Sequence, residues 1–331
     1  MIEISTAPPF ATVQDLGRFG HRASGVPVSG AMDPDSMRLA NSLVGNPPDA
    51  AVIEWALGGG SLIFRRTLQY VVTGAVRAPR LMTARVGDTV ALAPPIHFFG
   101  RFIYVAVEGG IDVPLVLGSR STYLPGAFGG YKGRILRAGD ELPVGPSGGS
   151  APTPWTPPAF ESDAIRVIFG PNRAAFTDAH REQLLATEYK VAQASDRMGY
   201  RLDGDPLTGG EWGTRLSEPV CPGAIQITAE GHPIVLMADG PTVGGYPVIG
   251  VVHSADLGRF AQRLPNEGRR ERLALARLVP WGRISPFCRN AIAMEFHTRG
   301  LGSFAVRSSM AAEAMRFSSA TRAEHSAQVF R

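Results

Sequence analysis

The chain reads as a mainly β protein of two domains with a few short helices, and three observations carry that reading. Glycine and proline supply 39 and 27 of its 331 residues, a density of breakers that leaves little room for long helices. Apolar residues fall in short runs rich in β-branched and aromatic types, bounded by Gly, Pro or charge. A Pro/Gly/Ser stretch at 145–158 separates two such regions, each long enough for its own core.

The elements follow in order. In the first region the apolar runs place strands at 51–57, 61–64, 68–73, 102–107 and 135–136. One helix is expected over 33–44. Asp33 is its N-cap and Pro34 its first residue; Met37, Leu39, Ala40, Leu43 and Val44 are its apolar positions, and Gly45-Asn46 its stop. In the second region strands are expected at 165–169, 224–228, 233–237 and 247–252, with a helix over 173–185. Short segments of the two halves are faintly alike. Asp15-Leu-Gly-Arg pairs with Asp196-Arg-Met-Gly, and Pro27-Val-Ser-Gly-Ala with Pro219-Val-Cys-Pro-Gly-Ala, which fits related β domains in tandem.

The most informative stretch is Thr12-Val-Gln-Asp-Leu-Gly-Arg-Phe-Gly20 with Gly25-Val-Pro-Val-Ser-Gly-Ala-Met-Asp33. Its glycines and prolines set backbone angles that other residues avoid, so Asp15, Arg18, Ser29 and Asp33 sit on rigid turns. Ordinary hairpin turns are the plainer reading of the same composition.

Composition excludes several function classes. The formal net charge is +4, but the last 65 residues hold eleven Arg, five Glu and neither Lys nor Asp, which leaves the body nearly neutral. No basic stripe with interleaved aromatics runs along the chain, so nucleic-acid binding is not expected. The N-terminal residues show no signal peptide, and no apolar run is long enough to span a membrane. With Cys221 and Cys288 far apart, a reducing cytoplasm is the expected home. The histidines are scattered without metal-ligand spacing, so no metal is expected. Gly145-Pro-Ser147-Gly-Gly149 matches the G-x-S-x-G elbow formally, but no helix pattern follows it.

Ordered motifs across 1–265 carry a family resemblance. They begin with the two stretches above and continue through Ala40-Asn41, Gly45-Asn46, Glu54, Gly109-Gly110, Gly118-Ser-Arg-Ser-Thr122, Gly129-Gly-Tyr-Lys-Gly-Arg134 and Gly139-Asp140. The second half adds Ser195-Asp-Arg-Met-Gly199, Arg201-Leu202, Gly223-Ala-Ile-Gln226 and Gly244-Gly-Tyr-Pro247. The chain resembles the carboxyltransferase subdomain A/B family, which includes allophanate hydrolase subunit 2, KipA-like proteins and the C subunit of 5-oxoprolinase. The resemblance implies two tandem cyclophilin-like β-barrels, subdomain A over 1–147 and subdomain B over 161–266, joined by a linker at 148–160. It also implies partners: a KipI-like protein that carries subdomains C and D, and the LamB/YcsF-like A subunit. The activity implied is ATP-dependent hydrolysis of 5-oxoproline to glutamate, in which the chain is one subunit. The alternatives are carboxyl transfer from carboxybiotin to urea or a related amide, and antagonism of a kinase-inhibitor protein. The sequence has neither a Walker loop nor a biotinyl-lysine motif, so ATP is expected largely on other subunits and carboxybiotin on another protein.

These reactions develop negative charge on oxygen and move a proton at nitrogen, which calls for fixed cations, amide donors and a carboxylate. Lys132, in its glycine-rich loop, and Arg120, between Ser119 and Ser121, are the candidate cations, with a solvated lysine and a structural fork as plainer alternatives. Asp15 and Asp33 are the candidate carboxylates, with an N-cap the plainer reading of Asp33. Substrate-binding candidates in the first half are Gln14, Arg18, Asn41, Asn46, Ser119, Ser121 and Arg134. Those in the second are Asp196, Arg197, Gln226 and Tyr246, for which turn-building is the competing role. After residue 265 the family pattern stops, and Arg and Ala dominate without a periodic apolar face. Residues 267–331 are therefore expected to be mostly poorly packed and outside the active site, as a shifted reading frame or a lineage-specific extension.

Overall fold

The computed structural model describes residues 1–94, 100–147, 156, 163–213, 215–265 and 275–277. The protein is mainly β, with three α-helices among these residues: α1 (Pro34–Leu43), α2 (Asp178–Ala186) and α3 (Ser254–Ala261). The first half forms two antiparallel sheets. One has five strands in the order Phe10–Gln14, Val52–Ala56, Phe102–Val107, Leu68–Gly74, Leu81–Ala84. The other has four, in the order Thr89–Leu92, Gly60–Phe64, Ile2–Thr6, Glu141–Leu142. The second half forms a seven-stranded sheet centred on Ala224–Ile227 and a two-stranded ribbon of Glu218–Pro219 with Val243–Gly244. Among the described residues no sheet mixes strands of the two halves.

The central strands Val52–Ala56 and Phe102–Val107 are buried along their whole length. Their alternating side chains feed two cores. Ile53, Trp55, Ile103, Val105 and Val107 face a core made of first-half residues only. Val52, Ala56, Phe102, Tyr104 and Ala106 join α1 and the second-half residues Ile165, Tyr200, Ile225 and Phe260 in one shared core. Glu54 lies on this second face, opposite Tyr104 in the ladder.

Helix α1 begins as its sequence predicts. The Asp33 side chain accepts the Ser36 N–H at 3.1 Å, Pro34 holds the first turn, and Gly45 takes the left-handed conformation past the end. The expected 173–185 helix is instead a 3-10 turn, Arg173–Ala175, followed by α2. The Thr177 hydroxyl accepts the His180 N–H, so the helix restarts there. The strand expected at 135–136 does not form; Leu136 N–H makes a single hydrogen bond to Ala11. Helix α3 is absent from the sequence reading, because Gly258 breaks its pattern. A Cβ there would lie 2.6 Å from Asp33 Oδ1, where α3 crosses the start of α1, so any larger residue would displace the Asp33 side chain. The expectation for 267–331 falls mostly outside the described residues. Leu275–Arg277 departs from it, pairing in parallel with Ile165–Phe169 and burying Leu275.

Arg166 and Asp256 tie α3 to the neighbouring strand. Asp256 is fully buried and accepts from Arg166 Nη2 at 2.6 Å, Nε at 2.9 Å and the backbone N–H at 2.7 Å. Burial pushes its carboxyl up, but the Arg166 hydrogen bonds and charge outweigh this and hold it below the ordinary 3.8. A carboxyl depressed in the fold stabilises fully above its unfolded value and loses that contribution as pH falls through its folded value. Urea midpoints measured from about pH 6 down to about pH 2.5 are therefore expected to fall for the native chain. Asp256→Asn is expected to start lower and fall less; parallel curves would contradict the assignment.

Candidate functional site

The halves meet around one buried cation. Arg197, in the turn before strand Gly199–Asp203, donates to Asp239 through Nε at 2.8 Å and Nη2 at 3.0 Å. Its Nη1 reaches Glu54 Oε1 at 2.5 Å and its Nη2 the Gly30 carbonyl at 2.7 Å. Glu54 Oε2 accepts from the Met32 N–H and the Tyr104 hydroxyl, and that hydroxyl accepts the Asp33 N–H. Burial alone would lower the Arg197 pKa; the charges of Asp239 and Glu54 raise it instead. Burial pushes the Glu54 carboxyl up against the pull of Arg197, the Met32 amide and Tyr104.

A second constellation surrounds Asp15. Its Oδ1 accepts from the Gly17 N–H at 2.7 Å, Ser119 Oγ at 2.7 Å and Ser121 Oγ at 2.5 Å; its Oδ2 accepts the Arg120 N–H at 2.5 Å. This carboxylate therefore holds the 119–121 loop against the 15–18 turn. Arg18, fully buried, donates through Nη2 to the Ser121 carbonyl and lies 4.9 Å over the Phe128 ring. Gly129 is left-handed, and a Cβ there would meet both the Ser121 carbonyl and Arg18 Nη2. Ser119, Ser121, Asp15 and Arg18 are thus brought together.

Other sequence-predicted residues lie in separate hydrogen-bonded frames. Arg134 forks onto Asp140 with two bonds of 2.7 Å and also donates to the Ile135 carbonyl. Arg120 pairs with Asp112 at 2.6 Å. Asp33 accepts from Ser36 and, at 2.9 Å, from Gln262 Nε2. Asn41 and Asn46 bond to each other and staple the α1 end to Ala50, Val107 and Gly109. Gln14 donates to Thr12 and Thr122. In the second half Asp196 is exposed and closes a turn onto the Met198 and Gly199 amides, while Gln226 donates to the carbonyl of half-exposed Tyr246. The Asp15 and Asp196 turns, alike in sequence, use the same bond from the amide two residues on.

Lys132 is exposed in left-handed backbone, its Nζ 4.9 Å over the Tyr131 ring. The flanking Gly130 and Gly133 amides already donate to Arg120 and Gly129, so the ammonium is the group this loop presents. Among the described residues no group of three His, Cys, Asp or Glu is placed to hold a metal, and no helix is long and apolar enough to cross a membrane. The sequence reading did not include Tyr104 and Asp239 among the site residues, and it noted Glu54 only as a motif. The available signal was Glu54 itself, a charge inside an otherwise continuous apolar run.

Comparison with known proteins gives concordant results. Residues 24–270 match the family described as carboxyltransferase domain, subdomain A and B. The chain is 37% identical to the C subunit of 5-oxoprolinase from Escherichia coli over 273 residues, 79% of this chain and 87% of that protein. It is 34% identical to the urea amidolyase of Lachancea kluyveri, covering 80% of this chain and 16% of that one. The crystal structure of the K. lactis urea amidolyase superimposes with a TM-score of 0.75 at 30% identity, over 84% of this chain and 19% of that chain.

Removing Glu54 leaves Arg197 short of an acceptor in the core. Glu54→Ala is expected to lower unfolding free energy by about 3–5 kcal/mol, and Glu54→Gln by less. Denaturant titration reads this; a loss under about 1 kcal/mol would show the network does not hold the halves together.

Proposed function

Since the chain belongs to the carboxyltransferase subdomain A and B family, we propose that it is the C subunit of a 5-oxoprolinase, working with partner subunits in ATP-dependent hydrolysis of 5-oxoproline to glutamate. The observation that carries this reading is the extent of the likeness: it spans 87% of a protein with that one role, but only 16% of a urea amidolyase. In this reading residues 1–147 and 161–266 are the two subdomains, each a cyclophilin-like barrel. The absence of mixed sheets among the described residues supports that division.

The reaction adds water across the lactam C–N bond: the carbonyl oxygen gains negative charge and the leaving nitrogen takes a proton. Lys132 is our choice for the cation that meets the oxygen, being presented to solvent on a rigid loop. Asp15, with its four donors, acts by positioning the Ser119–Ser121 loop. ATP is held largely by other subunits. A KipI-like protein is the expected direct partner. Exposed Phe19, Leu216, Val243 and Tyr246 lie on segments that meet where Arg22 donates to the Val220 and Pro241 carbonyls, which supports a protein contact there.

Co-expression with the KipI-like and LamB/YcsF-like partners tests the proposal. Glutamate release from 5-oxoproline is expected only with ATP and all subunits present. Biotin-dependent carboxylation of urea by the same complex would instead favour carboxyl transfer.

Lys132→Ala in that complex is expected to lower kcat about 10²–10³-fold while leaving the thermal midpoint nearly unchanged. Full activity of this variant would remove Lys132 from the mechanism.

A further inference from the structure

The Asp15 constellation contains a cation whose bonding is incomplete. Arg18 is fully buried, yet only Nη2 has a partner; Nε and Nη1 make no hydrogen bond among the described residues. Buried guanidinium N–H groups are ordinarily satisfied. The carboxylates whose charges act on Arg18 are Asp15 and Asp239. Asp15 is occupied by two serines and two amides, and Asp239 by Arg197. Neither forms an ion pair with Arg18.

Ser29 adds a further donor. It is buried in left-handed backbone with φ of 56°, unusual for a residue other than glycine, and its hydroxyl has no partner among the described residues. Its position is held from both sides. The Arg18 N–H donates to the Val28 carbonyl at 2.8 Å, and the Ser29 N–H donates across the seam to Ala238 at 3.0 Å. The Phe128 ring, with Tyr123 edge-on at 5.4 Å, walls the guanidinium on one side.

We propose that Arg18 and Ser29 form a subsite for the carboxylate of a small monocarboxylic acid at the seam between the two halves. If the complex acts on 5-oxoproline, as proposed above, this is where the acid's carboxylate binds; urea has no group to place there. Nε–H and the Nη1–H bonds point to different edges of the guanidinium, so one carboxylate oxygen would take an N–H from one edge and the other the Ser29 hydroxyl. A monoanion fits better than phosphate, because the Asp15 and Asp239 charges that act on Arg18 oppose a second negative charge. Arg18 is fully buried, so entry requires movement of the residues that cover it.

The test uses the full chain, alone and in its partner complex. 5-Oxoproline, its carboxamide and inorganic phosphate are titrated calorimetrically against the native chain, Arg18→Gln and Ser29→Ala. The native chain is expected to prefer 5-oxoproline over both other probes. Arg18→Gln should weaken 5-oxoproline about 30-fold or more and Ser29→Ala about 5-fold, with carboxamide binding little changed. Ser29→Ala keeps the backbone in place, so it decides the matter should Arg18→Gln fail to fold. Unchanged discrimination in Ser29→Ala and in folded Arg18→Gln would overturn the subsite while leaving the 5-oxoprolinase reading intact. If the complex releases no glutamate, that reading fails, and the subsite is judged by acetate binding to the native chain and to Ser29→Ala. Acetate bound equally by both, or by neither, overturns it and leaves an ordered water as the partner of Arg18.

Discussion

A guanidinium enclosed by protein must find acceptors on nearly every side, and Arg197 finds them only where the two halves meet. Two of its acceptors, Glu54 and Gly30, come from the first half, and Asp239 comes from the second. A buried ion network of this kind adds little net stability, because desolvation offsets most of the attraction. The upward shift of Glu54 reflects that cost. What the network supplies is registry: any other docking of the halves strands at least one charge in the core.

Much of the surrounding structure hangs on that registry. Glu54 anchors the Met32 amide and, through Tyr104, the Asp33 amide that begins α1. Asp33 then takes Gln262 at the end of α3, and Gln262 Oε1 accepts from the Arg101 and Phe102 amides. One continuous chain of hydrogen bonds therefore runs from the seam through both helices and back to the central sheet. The loops bearing Arg18, Ser29 and the Ser119–Ser121 segment are borne by this frame, so their side chains are held before any ligand arrives, the condition for electrostatic preorganisation.

Part of this was legible residue by residue. Asp33-Pro34 and Gly45 marked the ends of α1, because caps are local chemistry. The strands at 102–107 and 165–169 were readable as apolar runs. Helix α3 was hidden because Gly258 answers to Asp33, a residue 225 positions away in sequence. Arg134 and Arg197 look alike in sequence, each an arginine in a turn that contains glycine. One forks locally onto Asp140, six residues on, and the other bridges the halves.

The amino-acid sequence by itself determined the β-rich class, the turns of residues 12–33, the caps of α1 and the family, since each depends on residue type and short spacing. Only the tertiary structure decided which charges are neutralised and which are left open. On paper Asp15 and Lys132 were catalytic candidates and Arg18 a substrate-binding one. In the fold Asp15 is saturated, Arg18 is buried with Nε and Nη1 unmatched, and Lys132 faces solvent. The physical reason is that the state of a charged group depends on desolvation and on partners far away along the chain, neither of which local sequence encodes.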